Sequence, residues 1–270
     1  MCRDRVPSLS LSGSGLHFLY QVGAMHTLLC ENIYTHCVCC TSAGMAGALY
    51  YLLDLRKEMP IEKLLCLLPS QYSRNQVKSE WRIMLEGCVS GVYHKNPLQR
   101  TRERMIEELC SVLCASRPNA FQKVSGRLRV TLVQWPSLRV HEFNHWYSND
   151  DLLGCLRATT SIPYISTRSP TRWRGRCWID GGAKDDHPIF NACTVVVTTS
   201  RYWQPWAPVW DAKKKWWGEI SRCLDPESSR VVRCRAYYRR IFELGKKDAR
   251  RFLRSGYCCC DPCDICCCCN

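Results

Sequence analysis

A three-layer α/β fold on a central, mostly parallel sheet is what this 270-residue sequence predicts, from three observations. Apolar strands alternate with amphipathic helices over the first 200 residues. The run CTVVVTTS (193–200) is apolar through its centre, as in strands covered on both faces of a parallel sheet. The stretch LSLSGSGLHFLYQVGAM (9–25) reads as a strand, a glycine turn and a helix start. Such a unit offers an anion site, because open backbone N–H groups and the helix dipole point the same way. The anion could be a nucleotide phosphate or the oxyanion of an acyl-transfer intermediate.

The elements follow in order. SLSLS (8–12) is a buried strand, and Leu16–Cys30 a helix with Leu16, Leu19, Val22, Met25 and Leu29 near one face. IYTHCVCC (33–40) is a second short strand, followed by a helix from Ala43 to about Leu55. Pro60 sits at the first turn of another helix, where proline is tolerated. Thr101–Cys114 is helical by period and ends at Pro118–Asn119. RLRVTLVQW (127–135) and RVHEFN (139–144) alternate like strands around Pro136–Ser137. SNDDLLGCLRATTSIP opens on capping residues and closes at Pro163, a helix. RCWIDGG (176–182) is a strand running into a glycine turn. Beyond about residue 205 a stretch dense in Trp and Pro leads into basic helices to Arg254, read as an appendage and not as more of the sheet.

Charge and cysteine are both unevenly distributed. Net charge is +14, and residues 211–256 alone hold 14 Lys and Arg against 6 Asp and Glu. A basic block of this kind expects an anionic partner, membrane or nucleic acid. The N-terminal MCRDRVPSLSL lacks a signal peptide's apolar core and no run of eighteen apolar residues occurs, so the expectation is a cytosolic, non-spanning protein. In a reducing compartment the 22 cysteines do not read as a disulfide framework. Eight lie in CCCDPCDICCCC (258–269), and the other fourteen read mostly as small apolar core residues.

Two further fragments bear on the anion site. CCTSAGMAGA (39–48) places Ser42 in a strand–turn–helix close to the G-x-S-x-G nucleophile elbow, with Cys40 at the first glycine position. WIDGGAKDDHP places Asp180 at a strand end before two glycines. Alone, each reads as an ordinary turn. Together and in this order they resemble the patatin-like phospholipases, and within them the animal adipose triglyceride lipase type. There G-x-G-x-x-G opens the domain, G-x-S-x-G carries the nucleophile and D-G-G or D-G-A its partner. The resemblance also runs through LHFLYQVGAMHTL, SGRLRVTL, HEFNHWYSNDDLLGCLRATTSIPYI and CWIDGGAKDDHPIF, covering about residues 8–200. Phe18 stands where the third glycine of the first motif belongs.

The resemblance implies a serine acyl hydrolase acting on glycerolipids or phospholipids through a Ser42–Asp180 dyad. The backbone N–H groups of Gly13, Ser14 and Gly15, with that of Ala43, would bind the oxyanion. It implies no metal or organic cofactor. A dinucleotide site would want an acidic residue at a strand end about twenty residues after the last glycine, and Glu31 precedes its strand instead. His17 and His187 are read as supporting or surface residues. The alternative in another class is a non-catalytic lipid-binding or scaffold protein that kept the fold, with Cys40 and Phe18 as the departures.

The expected organisation is an acyl hydrolase domain over 8–200, a Trp-rich basic appendage over 201–256 and a Cys-rich tail over 257–270. Trp203, Trp206, Trp210, Trp216 and Trp217 among the basic residues suit a membrane or lipid-droplet interface, whereas no nucleic-acid module is recognisable. The tail admits S-acylation, thiolate metal binding or no modification, with acylation preferred to metal. The expected location is cytoplasmic, at a membrane or droplet surface.

Overall fold

The computed structural model describes residues 8–68, 97–191, 194–199, 218–221 and 235–255. The five tryptophans named above and the Cys-rich tail lie outside these residues.

Strand β1 (Leu9–Leu11) turns through a 3-10 segment (Gly15–His17) into helix α1 (Phe18–Cys30). Strand β2 (Val38–Thr41) leads into α2 (Gly44–Leu52), then α3 (Ile61–Cys66), which starts after Pro60 as expected. Helices α4 (Pro97–Ser116) and α5 (Ala120–Val124) precede the hairpin β3 (Leu128–Trp135) and β4 (Arg139–Phe143). Helix α6 (Asn149–Thr159) is capped by Ser148, whose hydroxyl accepts from the Asp151 N–H. The hairpin β5 (Thr171–Trp173) and β6 (Arg176–Asp180), then β7 (Val195–Thr198), β8 (Gly218–Ser221) and α7 (Arg235–Arg254), complete the described chain. The short strand β5 and helix α5 carry too little periodicity to be read from sequence.

The sheet runs β5-β6-β3-β2-β1-β7-β8, with β4 also on β3. The five strands β3, β2, β1, β7 and β8 are parallel, and β4, β5 and β6 supply the antiparallel pairs. Alternation along each strand assigns the faces. Leu9, Leu11, Val38, Cys40, Leu128, Val130, Val195 and Val197 join one apolar core with Leu19, Met25, Met45 and Leu49 of α1 and α2. Cys40 is fully buried in that core, and Phe18 packs into it from the first turn of α1, so neither departure from the glycine pattern leaves a side chain in the turn.

One sequence expectation is corrected: residues 218–221, read as lying outside the sheet, add a strand to it, β8 pairing in parallel with β7, Val195 opposite Gly218 through Thr198 opposite Ser221. The expected basic C-terminal helix is present as α7, and it packs against α1. Tyr238, Ile241, Phe242, Gly245 and Ala249 recur at helical spacing and are buried there. A Cβ on Gly23 would strike the Phe242 carbonyl, and one on Gly245 the Tyr20 carbonyl, so the two backbones touch. The Tyr20 hydroxyl donates to Asp248 Oδ2 at 2.9 Å across the same seam. The reading of the body cysteines as core residues also holds only in part. Cys37, Cys39, Cys40 and Cys155 are buried, whereas Cys30, Cys66, Cys114 and Cys177 are exposed at outward positions.

Among the described residues, no helix is long and apolar enough to cross a membrane.

Candidate active site

Strand order reverses at β1: the chain goes to β2 on one side and reaches β7 on the other. In an open parallel sheet the crevice beyond the carboxyl ends of such strands is where ligands bind. Gly13, Ser42 and Thr199 lie just past the ends of β1, β2 and β7.

The register of β3 brings the two motif residues together. β4 lines Val130–Gln134 along one edge of β3. β2, which pairs up to Thr131, and β6, which pairs from Leu132, therefore share the other edge. They run in opposite directions and meet end to end, so Ser42 after β2 faces Asp180 at the end of β6. The Ser42 hydroxyl donates to Asp180 Oδ2 at 2.5 Å, and both residues are buried.

Ser42 adopts φ 53°, a left-handed conformation uncommon outside glycine, which turns its side chain out of the strand direction. The chain can turn there because Gly44 follows: a Cβ on Gly44 would lie 2.5 Å from the Leu11 carbonyl oxygen. The Ser42 N–H is held by Thr159 Oγ1 at 2.9 Å, and that hydroxyl donates in turn to the Thr131 carbonyl at 3.0 Å. Asp180 is fixed twice. Its Oδ1 accepts from the Gly182 N–H at 2.8 Å, and its own N–H donates to the Ser161 carbonyl at 2.8 Å. Burial pushes the Asp180 carboxyl up to about 6, against the pull of the Ser42 hydroxyl and the Gly182 N–H. Above that pH it is an ionised acceptor on the serine hydroxyl, which is what a base needs to be.

The glycine turn after β1 lies against Ser42: a Cβ on Gly13 would sit 3.4 Å from Ser42 Cβ. Gly15 takes φ 51° where the 3-10 turn begins. The Ser14 hydroxyl donates to Gln21 Oε1 at 3.1 Å. Gln21 Nε2 also donates to the Ser12 and Val197 carbonyls, tying the turn to the ends of β1 and β7. Ala43 opens α2, where amides have no intrahelical carbonyl behind them. The histidines serve other partners: His17 Nε2 is 3.1 Å from the Tyr237 hydroxyl, and His187 Nε2 is 2.9 Å from Thr198 Oγ1. Among the described residues, the Ser42 hydroxyl bonds Asp180 and its N–H bonds Thr159, and no histidine bonds either group.

Two site residues escape sequence reasoning. Thr159 ends a helix in RATTSIP, and nothing local distinguishes it from Thr160. Asp186 accepts the Gly13 N–H on Oδ1 at 3.0 Å. The acidic pair Asp185–Asp186 so soon after the D-G-G turn was the available signal, since two carboxyls beside a buried strand end need partners. Burial, then the nearby Asp180 charge, push Asp186 up to about 8. Among the described residues no three His, Cys, Asp or Glu side chains gather as a metal site.

The patatin-like phospholipase family model matches residues 9–192. The chain is 25% identical over 205 residues to mouse 1-acylglycerol-3-phosphate O-acyltransferase Pnpla3, covering 74% of this chain and 45% of that protein. It is 24% identical over 209 residues to mouse patatin-like phospholipase domain-containing protein 5, covering 72% of this chain and 41% of that one. The chain thus spans less than half the length of either relative. Among solved structures, VipD from Legionella pneumophila aligns at a TM-score of 0.43 with 12% identity, over 92% of this chain and 67% of that one. With the model spanning the glycine turn, the serine elbow and the D-G-G turn, this chain belongs to the patatin-like phospholipase family.

Proposed function

We propose that this protein is a serine acyl hydrolase that cleaves glycerolipid or phospholipid esters through the Ser42–Asp180 dyad. The observation that carries the reading is the 2.5 Å Ser42–Asp180 hydrogen bond at a strained elbow beside an amide-rich turn. Asp180 takes the hydroxyl proton as Ser42 Oγ attacks the ester carbonyl, and the negative charge moves to the carbonyl oxygen. Amides of the Gly13–Gly15 turn and of Ala43 stabilise that oxygen. Collapse expels the alcohol, which takes the proton from Asp180 and leaves an acyl ester on Ser42. Water then repeats the sequence, and a lipid hydroxyl in its place makes the same chemistry an acyl transfer. The relative named as an acyltransferase fits that second acceptor. A serine-directed fluorophosphonate probe tests the reading. Labelling of the full chain that disappears in Ser42→Ala supports it, and equal labelling of the two proteins rules it out.

The substrate implies a lipid surface, and we assign contact with it to the outer face of α7, on the cytoplasmic side of a membrane or on a lipid droplet. Arg240, Lys247, Arg250, Arg251 and Arg254 are exposed on that face. Each cation near an anionic surface contributes about 1 kcal/mol. The variant Arg250→Glu/Arg254→Glu should therefore bind phosphatidylserine vesicles at least about tenfold more weakly at low salt. Sedimentation with charged and neutral vesicles measures this, and unchanged binding removes α7 from the interface.

A further inference from the structure

The oxyanion turn already has an occupant. The Gly13 N–H, aimed past the end of β1 beside Ser42, is engaged by a carboxyl oxygen of Asp186. The contact is close enough that a Cβ on Gly13 would strike the same oxygen. That carboxyl lies where an ester carbonyl would have to be in order to use this amide. It is also enclosed, its side chain only 12% exposed, with Oδ2 3.6 Å from His187 Nδ1. His187 is in turn held by Thr198, whose hydroxyl accepts from Ser12 at the end of β1. Asp186 is therefore supported from both strands that flank the crevice.

We propose that Asp186 is a third carboxyl of the active site, holding the Gly13 N–H until the substrate carbonyl replaces it and shutting the site when it ionises. The inference rests on the dyad reading above. Two physical effects give the direction. A carboxylate accepts a hydrogen bond more strongly than an ester carbonyl, so ionised Asp186 outcompetes substrate for the amide, whereas neutral Asp186 competes as one carbonyl against another. A negative charge at that spot also opposes the negative charge that forms on the substrate oxygen.

Among the described residues, the titratable groups seen around Asp186 are Asp180 and Asp185 on the D-G-G side and His187 next in sequence; the β1 side offers the Gly13 amide. Burial and the two aspartates favour the neutral form, with ionisation at about 8, while Asp180 ionises at about 6. The same neighbourhood thus separates two carboxyls into different states at neutral pH: Asp180 charged to act as base, Asp186 neutral and displaceable. Activity should rise as Asp180 loses its proton and fall as Asp186 loses its own, with apparent values belonging to the coupled pair.

The test compares full-length wild type, Asp186→Asn and Asp186→Ala in two measurements. The first is the rate of fluorophosphonate labelling of Ser42 across pH. In wild type the rate should fall about tenfold per pH unit above about 8. Asp186→Asn keeps the shape and the acceptor oxygen but cannot ionise, so that descending limb should vanish while the ascending limb near 6 remains. Asp186→Ala should label faster than wild type above pH 8. The second measurement is the Gly13 amide resonance in glycine-15N-labelled protein, which needs no activity. It should titrate with a step near 8 that is absent in Asp186→Asn. A descending limb or an amide step that survives in Asp186→Asn overturns the proposal. So does a loss of labelling at every pH in both variants, which would make Asp186 a support of the turn. If no protein labels at all, the dyad reading fails, and the Gly13 titration still decides whether Asp186 occupies the amide.

Discussion

Replacing Ser42 by alanine is expected to lower kcat/KM on a soluble ester by about 10⁴-fold or more, and Asp180→Asn by a similar factor. The double variant should be little worse than either, because the hydroxyl and carboxylate joined at 2.5 Å act as one unit. Wild-type kcat/KM should climb through pH of about 6, where Asp180 becomes a base. Stability should move the other way. Burial raises the folded-state value of Asp180 from 3.8 to about 6. Between those values the folded protein holds a proton that the unfolded chain has released, so stability falls as pH rises through the window and stays lower above it. Removing that charge in Asp180→Asn should leave an inactive protein up to about 3 kcal/mol more stable at pH 7. Activity loss with a raised Tm marks a functional carboxylate. If Ser42→Ala keeps substantial turnover, the serine is not the nucleophile.

The second large effect concerns the seam between α1 and α7. Gly245→Val puts a branched side chain against the Tyr20 carbonyl, where the obstacle is backbone and cannot rotate away. The helices must part, uncovering Tyr238, Ile241 and Phe242, for a loss of about 3 kcal/mol or more. Because α1 carries the glycine turn at its head and Gln21, which bonds the Ser12 carbonyl, parting should also slow labelling of Ser42. Lys247→Ala, on the exposed side of the same helix, should stay within about 0.5 kcal/mol of wild type. Thermal unfolding and hydrogen exchange over 18–30 and 235–254 measure both. A Gly245→Val protein with wild-type Tm and protection would show that α7 does not depend on this contact.

What the sequence determined by itself was everything carried by local periodicity and by short ordered motifs. Short apolar runs located β1, β2 and β7, alternation located β3 and β4, and helical spacing and capping residues located α1, α2, α4 and α6 within a few residues. Three glycine-flanked fragments in order singled out Ser42 and Asp180 through their resemblance to the patatin-like pattern, since each fragment alone reads as an ordinary turn. The tertiary structure decided what depends on a partner distant in the chain. That β2 and β6 meet end to end on one edge of β3 is a matter of register, and no residue of either strand records it. Thr159 and Asp186 are 117 and 173 residues from the amides they engage, and each reads locally as an ordinary polar residue. Gly245 reads in sequence as a weak point in a basic helix. Only against the Tyr20 carbonyl does it become the place where the helix can lie, and that contact, not the sequence, shows the apolar face of α7 joined to the core. Burial also set the charge states of Asp180 and Asp186, since desolvation depends on what surrounds a carboxyl and not on what precedes it in the chain.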